Sequence, residues 1–180
     1  MSETEPKLAV DLRSELAVSP AALWDAVSTM EGVNAELAPW VRMSAPSATR
    51  GMKLADAPVG VPLFHSWLLA LGVLPFDRHH LCLEQVWCEP KADRWGFYEH
   101  SSSWLQRVWL HERTIGAQGG GAWIRDRVWV QPRCTPLWPF VRVIVKTLFS
   151  HRHRQLLRRY TGADARRKVD ARTDAPTGTG

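Results

Sequence analysis

From Phe140 to Tyr160 the chain runs without glycine or proline. At about 100° per residue, Val141, Val145, Leu148, Phe149, Leu156 and Tyr160 fall on one broad apolar stripe, which predicts a single long helix near the C-terminus. Nearly everything between Trp40 and Gln131 reads instead as strands. VPLFHSWLLAL, LCLEQVWCE, RWGFYEHS, LQRVWLHERTI and AWIRDRVWVQ are separated by Pro, Gly and Asp clusters. An antiparallel sheet with one polar face must bury its other face, and the long helix is the available cover.

The N-terminal segment completes the pattern. In KLAVDLRSELAV, residues 7–18, Val10, Leu12, Leu16 and Val18 alternate with polar residues, as in a half-buried strand. Ser19 and Pro20 then supply an N-cap and a proline suited to the first helical position. AALWDAVSTM follows as a short helix that Gly32 is expected to break, and VNAELA is a second helical piece ending before Pro39. The glycines of GAQGGG, residues 116–121, suit a hairpin turn. The expected fold class is α+β: a curved antiparallel sheet of about seven strands wrapped around a long C-terminal helix, with two short helices after the first strand. The domain should span residues 7–162, and the polar tail 163–180 should be disordered.

Composition narrows the partners. Hydrophobic residues make up 45% and charged residues 23% of the 180, and ten tryptophans accompany two tyrosines. Rigid aromatics at that density call for a bulky core or a wide apolar cavity. The formal charge is +5, and the stretch from Arg142 to Arg159 holds arginines and lysine but no acid. A basic helix face is usually solvated, and no nucleic-acid reader motif accompanies it, so no nucleic-acid partner is expected. Cys82, Cys88 and Cys134 cannot all pair internally, and Cys82 and Cys88 would lie ~20 Å apart along one strand. MSETEPK is polar rather than signal-like, and the apolar run Trp67–Phe76 is too short to span a bilayer as a helix. A cytoplasmic setting is the expectation.

The candidate polar residues lie on the hairpin and the last helix. Matching apolar to apolar across residues 104–115 and 122–131 turns Glu112 and Asp126 inward with Leu110 and Val128. Arg107, Trp109, His111 and Arg113, with Trp123, Arg125, Arg127 and Trp129, then form an outer belt; a register slip of one would turn Trp109 and His111 inward. A buried acid needs a partner or a wet cavity, so Glu112 and Asp126 are expected to pair with a cation or to serve as general acid and base. Arg152 lands near the centre of the helical stripe and is the expected partner. His151 and His153, two apart, point to nearly opposite sides of a helix and cannot hold one metal together, so no metal is expected. Asp77, His79 and His80 of FDRHH read as a loop between two strands, where adjacent histidines usually face solvent or a turn. No P-loop, dinucleotide fingerprint or Ser-His-Asp arrangement is present, and no cofactor is implied.

LAVSPAALWDAV, WLHERTIGAQGGGAWIRDRVWV and LFSHRHRQL, in that order and spacing, resemble members of the START-like or Bet v 1-like superfamily (SRPBCC), including polyketide cyclase/dehydrase-type proteins. The resemblance covers about residues 8–160. It implies a helix-grip fold with an internal cavity for lipids, sterols, polyketides or quinones, and no universal catalytic residue. Binding of a hydrophobic or aromatic small molecule is therefore expected. The contact set would be Trp24, Leu110, Glu112, Asp126, Val128, Val145, Phe149, Arg152 and Leu156. The alternatives are a cyclase or dehydratase using Glu112 and Asp126 as catalytic groups, and a lipid carrier touching membranes transiently through its basic helix and Trp-rich belt.

Overall fold

A computed structural model of the protein describes residues 5–49 and 51–161; the tail expected to be disordered lies outside the described residues. The elements are β1 (Lys7–Leu16), α1 (Pro20–Val27), α2 (Met30–Leu37), β2 (Val41–Met43), β3 (Pro62–Ala70), β4 (Leu74–Glu89), β5 (Arg94–Ser103), β6 (Gln106–Gln118), β7 (Gly121–Pro132) and α3 (Trp138–Thr161). The strands form one seven-stranded sheet in the order β1-β7-β6-β5-β4-β3-β2, and each neighbouring pair is antiparallel. The helix α3 lies along β1 and touches β7 and α2. This is the helix-grip α+β architecture expected from the sequence. No helix among the described residues is long and apolar enough to cross a membrane.

Local chemistry explains the element ends. Ser19 Oγ accepts from the Ala22 amide at 3.3 Å and Pro20 opens α1. Thr29 Oγ1 caps α2 by accepting from Gly32 N at 3.1 Å. Gly32 therefore sits inside the first turn of α2 rather than ending α1. Its lack of a side chain matters because a Cβ there would stand 2.0 Å from the Ala26 carbonyl oxygen. Gly119 and Gly120, at φ of +56° and +80°, make the two-residue turn joining Gln118 to Gly121. That turn sets the β6–β7 register.

The sheet has two unlike ends. The β4–β5 and β6–β7 turns lie at the end that α1 covers. The β3–β4 and β5–β6 turns, the start of β1 and the β7–α3 link lie at the other, open end. The core is divided accordingly. Leu16, Leu23, Trp24, Ile115, Ile124 and Leu156 belong to a cluster toward the closed end. Ala9, Val10, Val128, Val130, Val145 and Phe149 form a second cluster toward the open end. Cys82, Cys88 and Cys134 are all free thiols.

Gly32→Ala should destabilise the protein by about 3 kcal/mol or more, because the methyl group meets backbone rather than a movable side chain. Urea unfolding followed by circular dichroism measures this; a change below ~1 kcal/mol, the helix-propensity scale of a Gly/Ala exchange, would show that α1 and α2 separate freely.

Candidate functional site

The two apolar clusters are separated by a layer of charge. On β7 the inward residues run Ile124, Asp126, Val128; on β6 they run Ile115, Arg113, His111, Trp109; on α3, Arg152 and His153 lie between Leu156 and Phe149. Arg113 and Asp126 are both 0% exposed. Arg113 donates to Asp126 through Nε at 2.7 Å and Nη2 at 2.8 Å. The same guanidinium donates to Glu36 of α2 through Nη1 at 3.0 Å and Nη2 at 2.9 Å. Arg152 reaches Glu36 Oε2 through Nε at 3.0 Å and stacks 4.9 Å from the centre of the Phe149 ring. Planar bidentate pairing of this kind is what arginine does best.

A row of histidines extends the layer. His111 Nε2 lies 2.8 Å from Asp126 Oδ1, and His153 Nε2 lies 3.0 Å from Asp126 Oδ2. The other nitrogen of His153 meets Ser14 Oγ at 2.8 Å. An Nε2 proton directed at the carboxylate would leave Nδ1 to accept from the serine hydroxyl. Glu99 of β5 stands between His79 Nε2, at 2.6 Å, and His111 Nδ1, at 3.6 Å. Glu36, Glu99 and Asp126 are the acids of the layer, and Arg113 and Arg152 are its arginines, all of them buried. His111 has a carboxylate facing each of its ring nitrogens. Phe97 and Phe149 contact the same ring edge-on, at 5.0 and 5.1 Å.

The electrostatics follow from these contacts. Burial pushes the Asp126 carboxyl up, but the charge and hydrogen bonds of Arg113, with those of His111 and His153, hold it well below the usual carboxylate range. Burial raises Glu99 too, and its hydrogen bonds from His111 and His79 more than reverse this. Glu36 is lowered as Arg113 and Arg152 outweigh its burial. Arg152 is held below the ordinary guanidinium value, first by burial and then by repulsion from Arg113.

Several sequence expectations change here. Glu112 and Leu110 lie on the outer face: Glu112 accepts from Arg127 Nη2 at 2.6 Å, and Leu110 is only partly buried. Apolar matching gave the wrong phase for β6. Cross-strand charge decides it, because Glu112 sits opposite Arg127 and Arg113 opposite Asp126. Trp109, His111 and Arg113 thereby leave the outer belt, while Trp123, Arg125, Arg127 and Trp129 remain in it. Arg152 does point inward, but it pairs with Glu36 rather than with Asp126 or Glu112. FDRHH is strand, not loop: His79 faces Glu99, while His80 faces out and stacks on His65 at 4.1 Å. Trp24, Val128, Val145, Phe149 and Leu156 are buried around the layer. Glu36, Glu99 and Arg113 are the members that sequence reasoning missed. The phase Trp95-Phe97-Glu99 was the available signal for Glu99.

Beside the charged layer, toward the open end, the inner sheet face stays polar. Ser66, His79 and Ser103 sit side by side on three neighbouring strands. Each is buried, as are Ser101 and Gln106. Ser103 Oγ accepts from Gln106 N at 3.0 Å, and Gln106 Oε1 has no hydrogen-bond partner among the described residues. The side chains of Trp109 and Phe149 flank this patch, with the Trp109 ring 5.9 Å from His79 and 6.2 Å from Phe149. Two shallow hollows open elsewhere. One of about 320 Å³ lies between α2 and α3, lined by Ala35, Glu36, Gln155, Leu156, Arg158 and Arg159. The other, of about 20 Å³, lies beside Lys7, Val130 and Trp138.

The strand order and the clasped C-terminal helix define a helix-grip fold. Two solved structures share the fold. Protein CV1439 from Chromobacterium violaceum is 14% identical, with 84% of this chain and 95% of that one aligned at a TM-score of 0.58. Protein Ms6760 from Mycobacterium smegmatis is 11% identical, with coverages of 81% and 85% and a TM-score of 0.51. The chain belongs to the family described as Domain of unknown function (DUF8410), whose model matches residues 14–160. No curated protein matches it.

Arg113→Met should cost about 3–5 kcal/mol, since it leaves buried carboxylates without their arginine, whereas the double change Arg113→Met, Asp126→Leu, which keeps Glu36 paired with Arg152, should recover much of that loss. Urea titrations of the three proteins decide it; equal stability of single and double variants would rule out electrostatic stranding. The depressed carboxyls also fix a pH sign. The folded state binds fewer protons than the unfolded chain, so their contribution is present above the ordinary carboxyl value of about 4 and is lost as pH falls further. Stability measured at descending pH should drop more steeply in the native protein than in the double variant, which lacks the Asp126 carboxyl.

Proposed function

We propose that this protein binds a small apolar or aromatic molecule between α3 and the inner sheet face, on the open-end side of the charged layer. The observation that carries this reading is the polar patch of Ser66, His79, Ser103 and Gln106. It is buried, bordered by Trp109 and Phe149, and retains an unspent acceptor at Gln106 Oε1. A core that served packing alone would gain by being apolar there, since an orphaned buried carbonyl costs about 1–3 kcal/mol. A few convergent polar groups among aromatic walls are what orients an amphipathic ligand. Val128, Val145 and Phe149 contribute the apolar side, and the START-like fold is consistent with such a role. Trp24 and Leu156 lie in the cluster on the far side of the layer and would act through packing.

The enzymatic alternative draws less support from its original pair. Asp126 receives four donors, and Glu112 faces outward. A cyclase or dehydratase would have to use His79 and Glu99, which are in contact at 2.6 Å and border the patch.

Native mass spectrometry of the purified protein should reveal a bound molecule that organic extraction removes. Gln106→Leu should leave stability unchanged or raise it, while lowering ligand occupancy by about tenfold, the scale of one lost hydrogen bond in a buried site. Absence of any bound mass, together with no thermal shift from added aromatic or fatty ligands, would refute the proposal.

A further inference from the structure

We infer that the open end of the sheet is a docking surface for an anionic lipid bilayer. Most of the large apolar side chains that the fold leaves in solvent are gathered there. In the β3–β4 turn, Leu71, Val73 and Leu74 are 61%, 73% and 62% exposed. Trp40 precedes β2 and Trp104 forms the β5–β6 turn, at 57% and 54% exposure. The first turns of α3 add Phe140, Val143 and Ile144, at 70%, 64% and 64%. These three recur at helical spacing on the side opposite Val141 and Val145, so the start of α3 is apolar on both faces and the core uses only one.

The segments are tied to one another. Leu71 N donates to Trp40 O at 2.8 Å, and Arg133 N donates to Leu105 O at 3.0 Å. Trp104 meets Trp67 edge-on at 5.0 Å. Lys7 Nζ sits 5.9 Å above the Trp138 ring, which fixes the start of α3 beside the start of β1. The apolar tips thus belong to one surface drawn from several loops.

The charge of that surface selects the occupant. Lys7, Arg42, Arg107, Arg133, Arg142 and Lys146 are exposed on these segments, and the acids among their described residues are Glu5 and the buried Asp77. A second copy of the chain would bring the same cationic rim against itself. Apolar loop tips and interfacial tryptophans ringed by lysine and arginine instead suit a membrane surface bearing anionic headgroups. The Arg–Trp belt on the outer sheet face is a poorer candidate, because Arg125 and Arg127 are already held by Asp11 and Glu112. This inference stands apart from the ligand reading, since vesicle binding is measured without any added small molecule.

The native cysteines allow a directional test. Cys134 is exposed at the open end, and Cys88 is exposed near the β4–β5 turn at the other. A polarity-sensitive dye is attached in two single-cysteine variants, Cys82→Ser with Cys88→Ser and Cys82→Ser with Cys134→Ser. Each is mixed with vesicles of phosphatidylcholine, with and without phosphatidylglycerol. Sedimentation only with the phosphatidylglycerol vesicles, and a blue shift at Cys134 but not at Cys88, is the expected result. Arg142→Ala with Lys146→Ala should weaken binding roughly thirtyfold. Phe140→Ser with Val73→Ser should weaken it about tenfold or more while leaving the circular dichroism spectrum unchanged. The inference is overturned by absence of vesicle binding, by a shift at Cys88, or by indifference to the Phe140 and Val73 changes. A dimer seen by light scattering and lost on Phe140→Ser would assign the surface to a second copy instead.

Discussion

The guanidinium of Arg113 holds three parts of the molecule in one place. Its two edges engage Asp126 of β7 and Glu36 of α2, and Glu36 in turn receives Arg152 from α3. A buried ion pair of this kind is weak evidence for net stability, since apolar replacements of similar volume often do as well. What it contributes is position. The apolar stripe of α3 could slide or rotate over an apolar sheet with little penalty, whereas Arg152 and His153 each have one carboxylate to meet. Only one seating of α3 satisfies both.

That anchoring has a consequence for any ligand. In a helix-grip fold the space between helix and sheet is where a cavity would form. Here the middle of that space is taken by ionised side chains whose hydrogen-bonding capacity is almost wholly spent on one another. Asp126 is the extreme case, with both oxygens shared between an arginine and two histidines. Groups so thoroughly paired are poor partners for a guest molecule, because binding would have to break what holds the helix. Spare capacity lies to one side, at Gln106 Oε1, toward the open end.

The architecture was legible in the sequence for physical reasons that do not extend to the site. Strand alternation, the Ser19-Pro20 cap and the uninterrupted run to Tyr160 are local signals, and each element formed where its signal lay. The facing of β6 was not legible from hydrophobicity, because both of its phases mix apolar and charged residues. Counting back from a two-residue Gly119-Gly120 turn would have paired Arg113 with Asp126 and Glu112 with Arg127, and charge would then have settled the facing. Glu36 gave no such handle. An acid in an eight-residue helix ordinarily faces water, and its burial depends on two arginines far away in sequence. Arg152 was legible as inward, since its place on the helical stripe is local, but its partner was a long-range fact.

The asymmetry between the two ends joins these observations. At the closed end α1 lays Leu23, Trp24 and Val27 over the sheet, and their burial is nearly complete. Among the described residues no corresponding helix covers the open end, and there tryptophan, phenylalanine, leucine and valine occupy positions that the fold leaves in solvent. Exposed apolar side chains scattered singly need no explanation, whereas a contiguous set does. These come from several separate segments and share one end with most of the nearby unpaired cations. The polar patch inside the grip lies toward the same end. A surface that faces lipid and an interior site reached from that surface would need only one opening, and the charged layer closes the other side of it.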